Sequence, residues 1–135
     1  GHKITDFLLE DNARIIVGPL LTERSKVELK NLSFKAPAIL SKAGLKVAIM
    51  SDHPVIPIQY LPVCASLAVR EGMDEMEALK AITINAAWVS GLDDRVGSLE
   101  EGKDADVVIF DGHPLDVRSR TRMVFIDGKL VFERE

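Results

Sequence analysis

The chain has 135 residues, and its 17 lysines and arginines against 21 aspartates and glutamates give a formal net charge of −4. This length allows one domain, or part of one larger domain, and it excludes two full domains. The acidic balance argues against a nucleic-acid-binding protein, because such proteins usually carry a basic surface. The composition, 47% hydrophobic and 28% charged, is typical of a folded protein and excludes intrinsic disorder.

The cysteine content and the apolar runs bear on the cellular compartment. The chain has one cysteine, which excludes an internal disulfide and fits a reducing cytoplasm. No apolar run approaches the roughly 18 residues of a membrane span, and no basic start is followed by an apolar leader. We therefore expect a cytoplasmic protein without a membrane partner. The opening residues, Gly1 and His2, leave open a cloning remnant or the interior of a longer chain.

The first half of the chain alternates helical spacing with short apolar runs. Gly18 and Pro19 end the first of these runs. Continuous apolar strands that alternate with helices predict a parallel sheet covered on both faces. In chain order, the sequence predicts a helix over 4–11, a strand over 15–17, a polar segment over 22–31, a helix over 37–43 and a strand over 45–50.

Two further helices are predicted before the character of the chain changes. The first covers residues 61–71 and consists of small and apolar residues. Asp74 is expected to cap the second, with Glu77 as its capping-box partner, and Gly91 is expected to end it. The buried face of this second helix is predicted to contain Ala78, Leu79, Ile82, Ala86 and Val89.

Beyond residue 92 the chain consists of short strands and turns. Strands are predicted over 107–110, 123–126 and 130–132. Asp127-Gly128 lies between the last two strands and predicts a hairpin with a type I′ turn, which requires positive φ at both central residues. We therefore divide the chain into an α/β part over 1–92 and a β subdomain over 93–135.

Asp52 is the residue that points most directly to chemistry. It follows the second apolar strand, and the C-terminal ends of parallel strands are where α/β proteins gather ligands and catalytic groups. An unpaired carboxylate there is costly to desolvate, so it favours a cation, a network of donors or a metal. Alternatively, Asp52 caps the loop over 53–57 through local backbone hydrogen bonds. Its position alone leaves both interpretations open.

The second half of the chain contains three ordered motifs: ALKAITINAA over 78–87, VGSLEEGKDADVV over 96–108 and FIDGKLV over 125–131. They resemble the C-terminal part of the metal-dependent amidohydrolase superfamily, including imidazolonepropionase-like, dihydroorotase-like and hydantoinase-like enzymes. Three ordered motifs at compatible spacing are far more specific than one. The resemblance is close from Ser51 onwards and looser before it.

The resemblance implies a (β/α)8 barrel, that is, a TIM barrel, with a small β-sandwich built from both chain ends. Barrel strand 7 would be Arg14–Leu20, and Asp52 would occupy the place of the metal-site aspartate that ends strand 8. A whole barrel needs about 250 residues. The chain would then hold the last two βα units of the barrel and part of the sandwich, and the family's histidine ligands would precede Gly1.

The resemblance also implies an activity for the whole protein. It would hydrolyse a C–N bond, often that of a cyclic amide rather than a peptide, with a metal-activated water. Asp52 would contact the metal, expected to be zinc, and act as proton acceptor and then donor. The expected partners are a small-molecule substrate, the upstream part of the same barrel and further copies in a homo-oligomer. Alone, this chain would be inactive and without metal.

The histidines, the cysteine and a charged turn are the remaining candidates. His53 is a candidate substrate contact because it adjoins Asp52, although a loop histidine without a role is the alternative. His2 and His113 are interpreted as non-ligands, the latter in a solvent-facing turn. Cys64 is interpreted as an inert buried thiol. A tight turn, rather than a catalytic cluster, is the interpretation of Lys103, Asp104 and Asp106.

Two alternatives lie outside the enzyme class. One is a self-contained α/β binding or regulatory module without metal chemistry, and the other is a structural or oligomerising domain. A free-standing module is disfavoured because two parallel strands leave unpaired edges that a native domain must cover. The substrate is not recoverable from the loops in view. The apolar residues after the second strand either line a pocket or pack the barrel top: Val55, Ile56, Ile58 and Tyr60.

Overall fold

The computed structural model describes residues 4–22, 27 and 32–135. His2 and most of the predicted polar segment over 22–31 lie outside these described residues. The elements in chain order are α1 Thr5–Glu10, β1 Ile15–Val17, α2 Ala36–Lys42, β2 Val47–Ile49, a 3₁₀ helix Ile58–Tyr60, α3 Leu61–Arg70, α4 Glu75–Ala81, α5 Ile84–Ser90, β3 Val107–Phe110, β4 Thr121–Ile126 and β5 Lys129–Glu133.

β1 and β2 form the predicted parallel pair. Ile15 lies opposite Val47, and Val17 lies opposite Ile49. Helices α2 to α5 pack on β2, and all three residues of β2 are buried. β1 departs from the expectation of cover on both faces, since Ile16 is 52% exposed. The helices pack mainly on β2, which leaves one face of β1 open.

The main core lies between β2 and helices α3 and α4. The residues that these helices bury are small, so their backbones approach each other closely, and packing of this kind leaves little void volume. None of the helices in the described part of the chain has the length and apolar character of a membrane span. The residues of α3 and α4 with no exposed surface are Cys64, Ala65, Ala68, Ala78 and Ala81.

The single helix expected between Asp74 and Gly91 is wrong, because the structure has two helices there. Asp74 caps α4 as predicted, and its carboxylate accepts a hydrogen bond from the Glu77 N–H at 3.0 Å. Thr83 then leaves helical geometry, with φ −130° and ψ −101°. Its hydroxyl donates to the Leu79 carbonyl at 2.8 Å. The Leu79 carbonyl, which also accepts from the Ile82 N–H at 3.2 Å, lies in the last turn of α4, where carbonyls lack the regular helical partner.

The break in the helix places Asn85 against the parallel strands. Asn85 is 7% exposed, and its side-chain amide donates to the Val47 carbonyl at 3.0 Å. The predicted apolar face did not include this residue. Of the residues predicted for that face, Ala78 is fully buried and the others are partly exposed. Asn85 therefore attaches α5 to the first residue of β2.

At the N-terminal ends of the parallel strands, two cations flank the side chain of Trp88. The Arg14 guanidinium carbon and the Lys46 Nζ lie 5.1 and 5.0 Å from the ring centroid. Arg14 also donates to the Val89 carbonyl at 3.3 Å. Cation–π contacts contribute roughly 0.5–1 kcal/mol at exposed sites. These contacts connect α5 with the residues that precede both strands.

The C-terminal part forms a separate antiparallel sheet in the order β3-β4-β5. The predicted hairpin is confirmed, because Ile126 pairs with Lys129 across the turn. Asp127 has φ 50° and Gly128 has φ 72°, so both central residues adopt the positive φ of a type I′ turn. The sheet leaves a set of apolar side chains at least two-fifths exposed: Val108, Ile109, Ile126, Leu130, Val131 and Phe132.

Replacing Asn85 by alanine should lower stability by about 1–3 kcal/mol, because the Val47 carbonyl then loses its buried donor. Chemical unfolding followed by far-ultraviolet circular dichroism measures this change. Ser90→Ala is the matched control, since it removes an exposed hydrogen bond to the Ala86 carbonyl. Equal unfolding midpoints for the two variants would contradict an anchoring role for Asn85.

Replacing Gly128 by valine should destabilise the hairpin by on the order of 1–3 kcal/mol, because a β-branched residue disfavours positive φ. The melting temperature should fall accordingly. Asp127→Asn is the control, since asparagine tolerates positive φ and keeps the backbone hydrogen bond to Asp106. An unchanged melting temperature in the valine variant would refute the strain argument.

Candidate functional site

The C-terminal ends of β1 and β2 lie side by side. The ladder continues past β2, where the Met50 N–H donates to the Val17 carbonyl at 3.0 Å. Gly18 follows Val17 with φ 152°. A Cβ on Gly18 would collide with the Met50 carbonyl oxygen and would lie 2.8 Å from Met50 Cγ. The two strand ends thus approach so closely that a side chain does not fit at position 18.

Asp52 lies at this edge of the sheet, two residues beyond Met50. Ser51 is buried, with 3% exposure, whereas Asp52 and His53 are exposed. Asp52 adopts a left-handed backbone with φ 55°, and its carbonyl accepts a hydrogen bond from the Val55 N–H at 2.8 Å. The backbone of Asp52 closes this turn. Its exposed side chain lies at the C-terminal edge of the two strands.

The side chains at this edge of the sheet determine how many ligands the chain offers to a metal ion. Asp52 supplies a carboxylate, a hard oxygen donor that suits a divalent cation. A catalytic zinc site has about three protein ligands and a water. Over residues 4–22, 27 and 32–135, no three His, Cys, Asp or Glu side chains are grouped closely enough to hold a metal ion. The residues present therefore fit one ligand position of a metal centre.

The loop after β2 is divided between the core and the surface. Ile56 is 4% exposed and packs in the main core. Val55 and Ile58 are both 57% exposed, and Tyr60 is 49% exposed. Ile58 and Tyr60 line an open, mostly apolar groove between this loop and the segment before β4. Three of the four apolar candidates therefore lie on the surface.

The second motif forms a loop after α5 that is closed by hydrogen bonds. The Lys103 ammonium donates to the Asp93 carbonyl and to the Ser98 hydroxyl, both at 2.6 Å. It also pairs with Glu100 at 2.8 Å. Hydrogen bonds from Lys103 and Ser98 lower the pKa of the Glu100 carboxyl. These three contacts of Lys103 close the loop, which agrees with the predicted turn.

The same motif joins this loop to the hairpin. Asp104 pairs with Arg95 at 2.6 Å. The Asp106 carboxylate accepts a hydrogen bond from the Asp127 N–H at 3.0 Å, and the Gly128 N–H donates to the Ala105 carbonyl at 3.0 Å. The second and third motifs therefore contact each other, and these hydrogen bonds hold the structure together. Asp52 belongs to neither motif.

The other titratable candidates have local partners. His113 is exposed, as predicted, and its Nε2 lies 3.2 Å from a Glu75 carboxylate oxygen. Cys64 is buried, as predicted, and burial raises the pKa of its thiol. Hydrogen bonds from Arg118 lower the pKa of the partly exposed Asp116 carboxyl to about 2.

Sequence reasoning missed two residues near the strands. Asn85 lay inside a motif but was not singled out, although a polar residue within an apolar helix was a visible signal. Gly18 was interpreted only as the end of a strand. A glycine that directly follows an apolar strand was the available signal for close approach of two backbones.

The sequence profile described as "Amidohydrolase family" matches residues 17–132. Among solved structures, an amidohydrolase from Thermotoga maritima MSB8 is 48% identical with a TM-score of 0.94, over 98% of this chain and 35% of that one. The Thermoplasma volcanium imidazolonepropionase is 39% identical over 76% of this chain and 27% of its own length.

The N-substituted formamide deformylase of Arthrobacter pascens is 32% identical over 68% of this chain and 20% of its own length. The chain thus spans about a third or less of the relatives that it matches. The profile, in contrast, covers most of this chain, including β2, Asp52, both later motifs and the hairpin. By this match, the chain belongs to the amidohydrolase family.

Proposed function

We propose that this chain is the C-terminal part of a metal-dependent amidohydrolase that hydrolyses a C–N bond in a small, non-peptide substrate such as a cyclic amide. The observation that carries the proposal is the open Asp52 carboxylate at the C-terminal edge of two parallel strands. The formamide deformylase among the relatives, by its name, acts on an N-substituted formamide. That relationship supports a substrate with a C–N bond.

In the proposed whole enzyme, β1 and β2 are the seventh and eighth strands of a TIM barrel. The parallel pairing, the half-exposed Ile16 and the 35% coverage of the Thermotoga structure support this view. Residues 1–92 would belong to the barrel and 93–135 to a β-sandwich, in agreement with two separate sheets. The upstream chain would cover the exposed apolar side chains of β3 to β5.

Asp52 has two roles in the proposed mechanism. A divalent metal, which we propose to be zinc, would lower the pKa of a water to about 7 when bound. Asp52 would supply one ligand, and upstream residues would supply the others. As general base, the Asp52 carboxylate would accept the proton of the attacking water and then pass it to the leaving nitrogen. The adjacent His53 would contact the substrate.

The proposal extends to partners and location. The enzyme would act in the cytoplasm as a homo-oligomer on a small molecule, without a nucleic-acid partner. The net charge of −4 supports the last point, because phosphate-binding surfaces are usually basic. The upstream segment of the same polypeptide would be the partner that the metal centre requires, since it would carry the remaining ligands.

Asp52→Asn in the full-length enzyme should lower kcat by about 10²-fold or more, because the amide retains the size of aspartate but cannot accept the proton. Folding should be nearly unchanged, since the side chain is exposed. Steady-state kinetics on the zinc-loaded enzyme measure this. Asp94→Asn is the matched control on another exposed carboxylate. Wild-type turnover in Asp52→Asn would remove Asp52 from the mechanism.

The 135-residue chain purified alone should be inactive, essentially free of metal and prone to associate. It supplies one ligand where about three are needed, and the unpaired edges of β1 and β2 favour pairing with other chains. Metal analysis and size-exclusion chromatography measure both properties, and co-expression with the upstream segment should restore zinc binding. A monodisperse monomer with stoichiometric zinc would instead favour a self-contained module.

A further inference from the structure

The ends of β1 and β2 meet at a glycine whose missing side chain determines how closely they approach. Gly18 has φ 152°. Besides the collision with the Met50 carbonyl oxygen, a Cβ there would lie 3.1 Å from the Met50 carbonyl carbon. A rotation of the Met50 side chain does not relieve contacts with backbone atoms. Alanine at position 18 therefore has to displace the Met50 peptide group from β1.

The Met50 carbonyl belongs to the peptide bond with Ser51, and Asp52 is the next residue in the chain. The Met50 N–H is held by the Val17 carbonyl at 3.0 Å, and the next residue, Ser51, is 3% exposed. Asp52 then turns in the left-handed conformation, and its carbonyl is hydrogen-bonded by Val55. Since the chain is held on both sides, a displacement of the Met50 carbonyl is transmitted to Asp52.

We infer that Gly18 is a positioning residue, which places the Asp52 carboxylate at the site through the Met50 peptide group. This inference rests on the function proposed above, in which Asp52 contacts the metal and transfers the proton. A misplacement of about 1 Å lowers rates by about 10²-fold. Loss of a group that orients a metal ligand weakens metal binding by about 10–100-fold.

The test is Gly18→Ala in the full-length, zinc-loaded enzyme. We expect kcat to fall by about 10–100-fold, with a smaller change in KM, and the zinc Kd from chelator competition to rise by about 10-fold. The control is Gly97→Ala, whose Cβ would lie 2.8 Å from the Ile84 Cα. That substitution strains the fold elsewhere, so it should lower Tm and leave kcat and the zinc Kd unchanged.

A double variant separates positioning from general damage. In the Asp52→Asn background, Gly18→Ala should cause no further loss of kcat, because both substitutions act on the same carboxylate. Additive losses would overturn the inference. A fully active Asp52→Asn enzyme would overturn the proposed function itself. An inactive Asp52→Asn enzyme with a wild-type Gly18→Ala enzyme would overturn only the role of Gly18.

If Gly18→Ala cannot be recovered folded, substitutions at Ser51 decide the question. Ser51→Gly frees the backbone between Met50 and Asp52, and Ser51→Ala removes the same hydroxyl without that freedom. The inference predicts a kcat at least about 10-fold lower, and a weaker zinc Kd, for the glycine variant than for the alanine variant. Equal values for the two variants would overturn it.

Discussion

The parallel pairing of β1 with β2 is the constraint on which the rest of this structure depends. It aligns Val17 with Ile49 and brings the residues that follow each strand to the same edge. α2 to α5 pack on β2, which buries all three of its residues. Because β2 is buried, its packing fixes the direction in which the chain leaves the strand. Asp52 then lies at the surface, three residues after the end of β2.

The contacts around α5 show how a polar group stabilises this arrangement. Asn85 occupies a place in the packing that an apolar residue would ordinarily fill, yet its amide reaches the Val47 carbonyl. The chain changes direction at Thr83, where α4 ends and the Thr83 hydroxyl donates to the Leu79 carbonyl. The interrupted helix is therefore part of the attachment of α5 to the strand, since a continuous helix would turn Asn85 elsewhere.

Features that depend on neighbouring residues were predictable, and those that depend on distant contacts were not. The turn at Asp127-Gly128 and the cap at Asp74 follow from local backbone chemistry. The apolar runs likewise predicted both parallel strands, and the place of Asp52 followed from them. The burial of Asn85 depends on a bond between residues 38 positions apart. The close approach at Gly18 depends on the Met50 backbone carbonyl, which is distant in the sequence. The glycine after an apolar strand indicated a close contact but not its partner.

Trp88, the chain's one tryptophan, contacts Arg14 and Lys46 at the ends of the strands opposite to Asp52. The indole emission of this chain therefore reports the environment of those two cations. We expect separation of either cation from the ring to change the emission, and binding at the Asp52 edge, at the other end of the strands, to leave it unchanged. Trp88 is thus an intrinsic fluorescent probe that distinguishes opening of the structure at the N-terminal ends of the strands from binding at the candidate site.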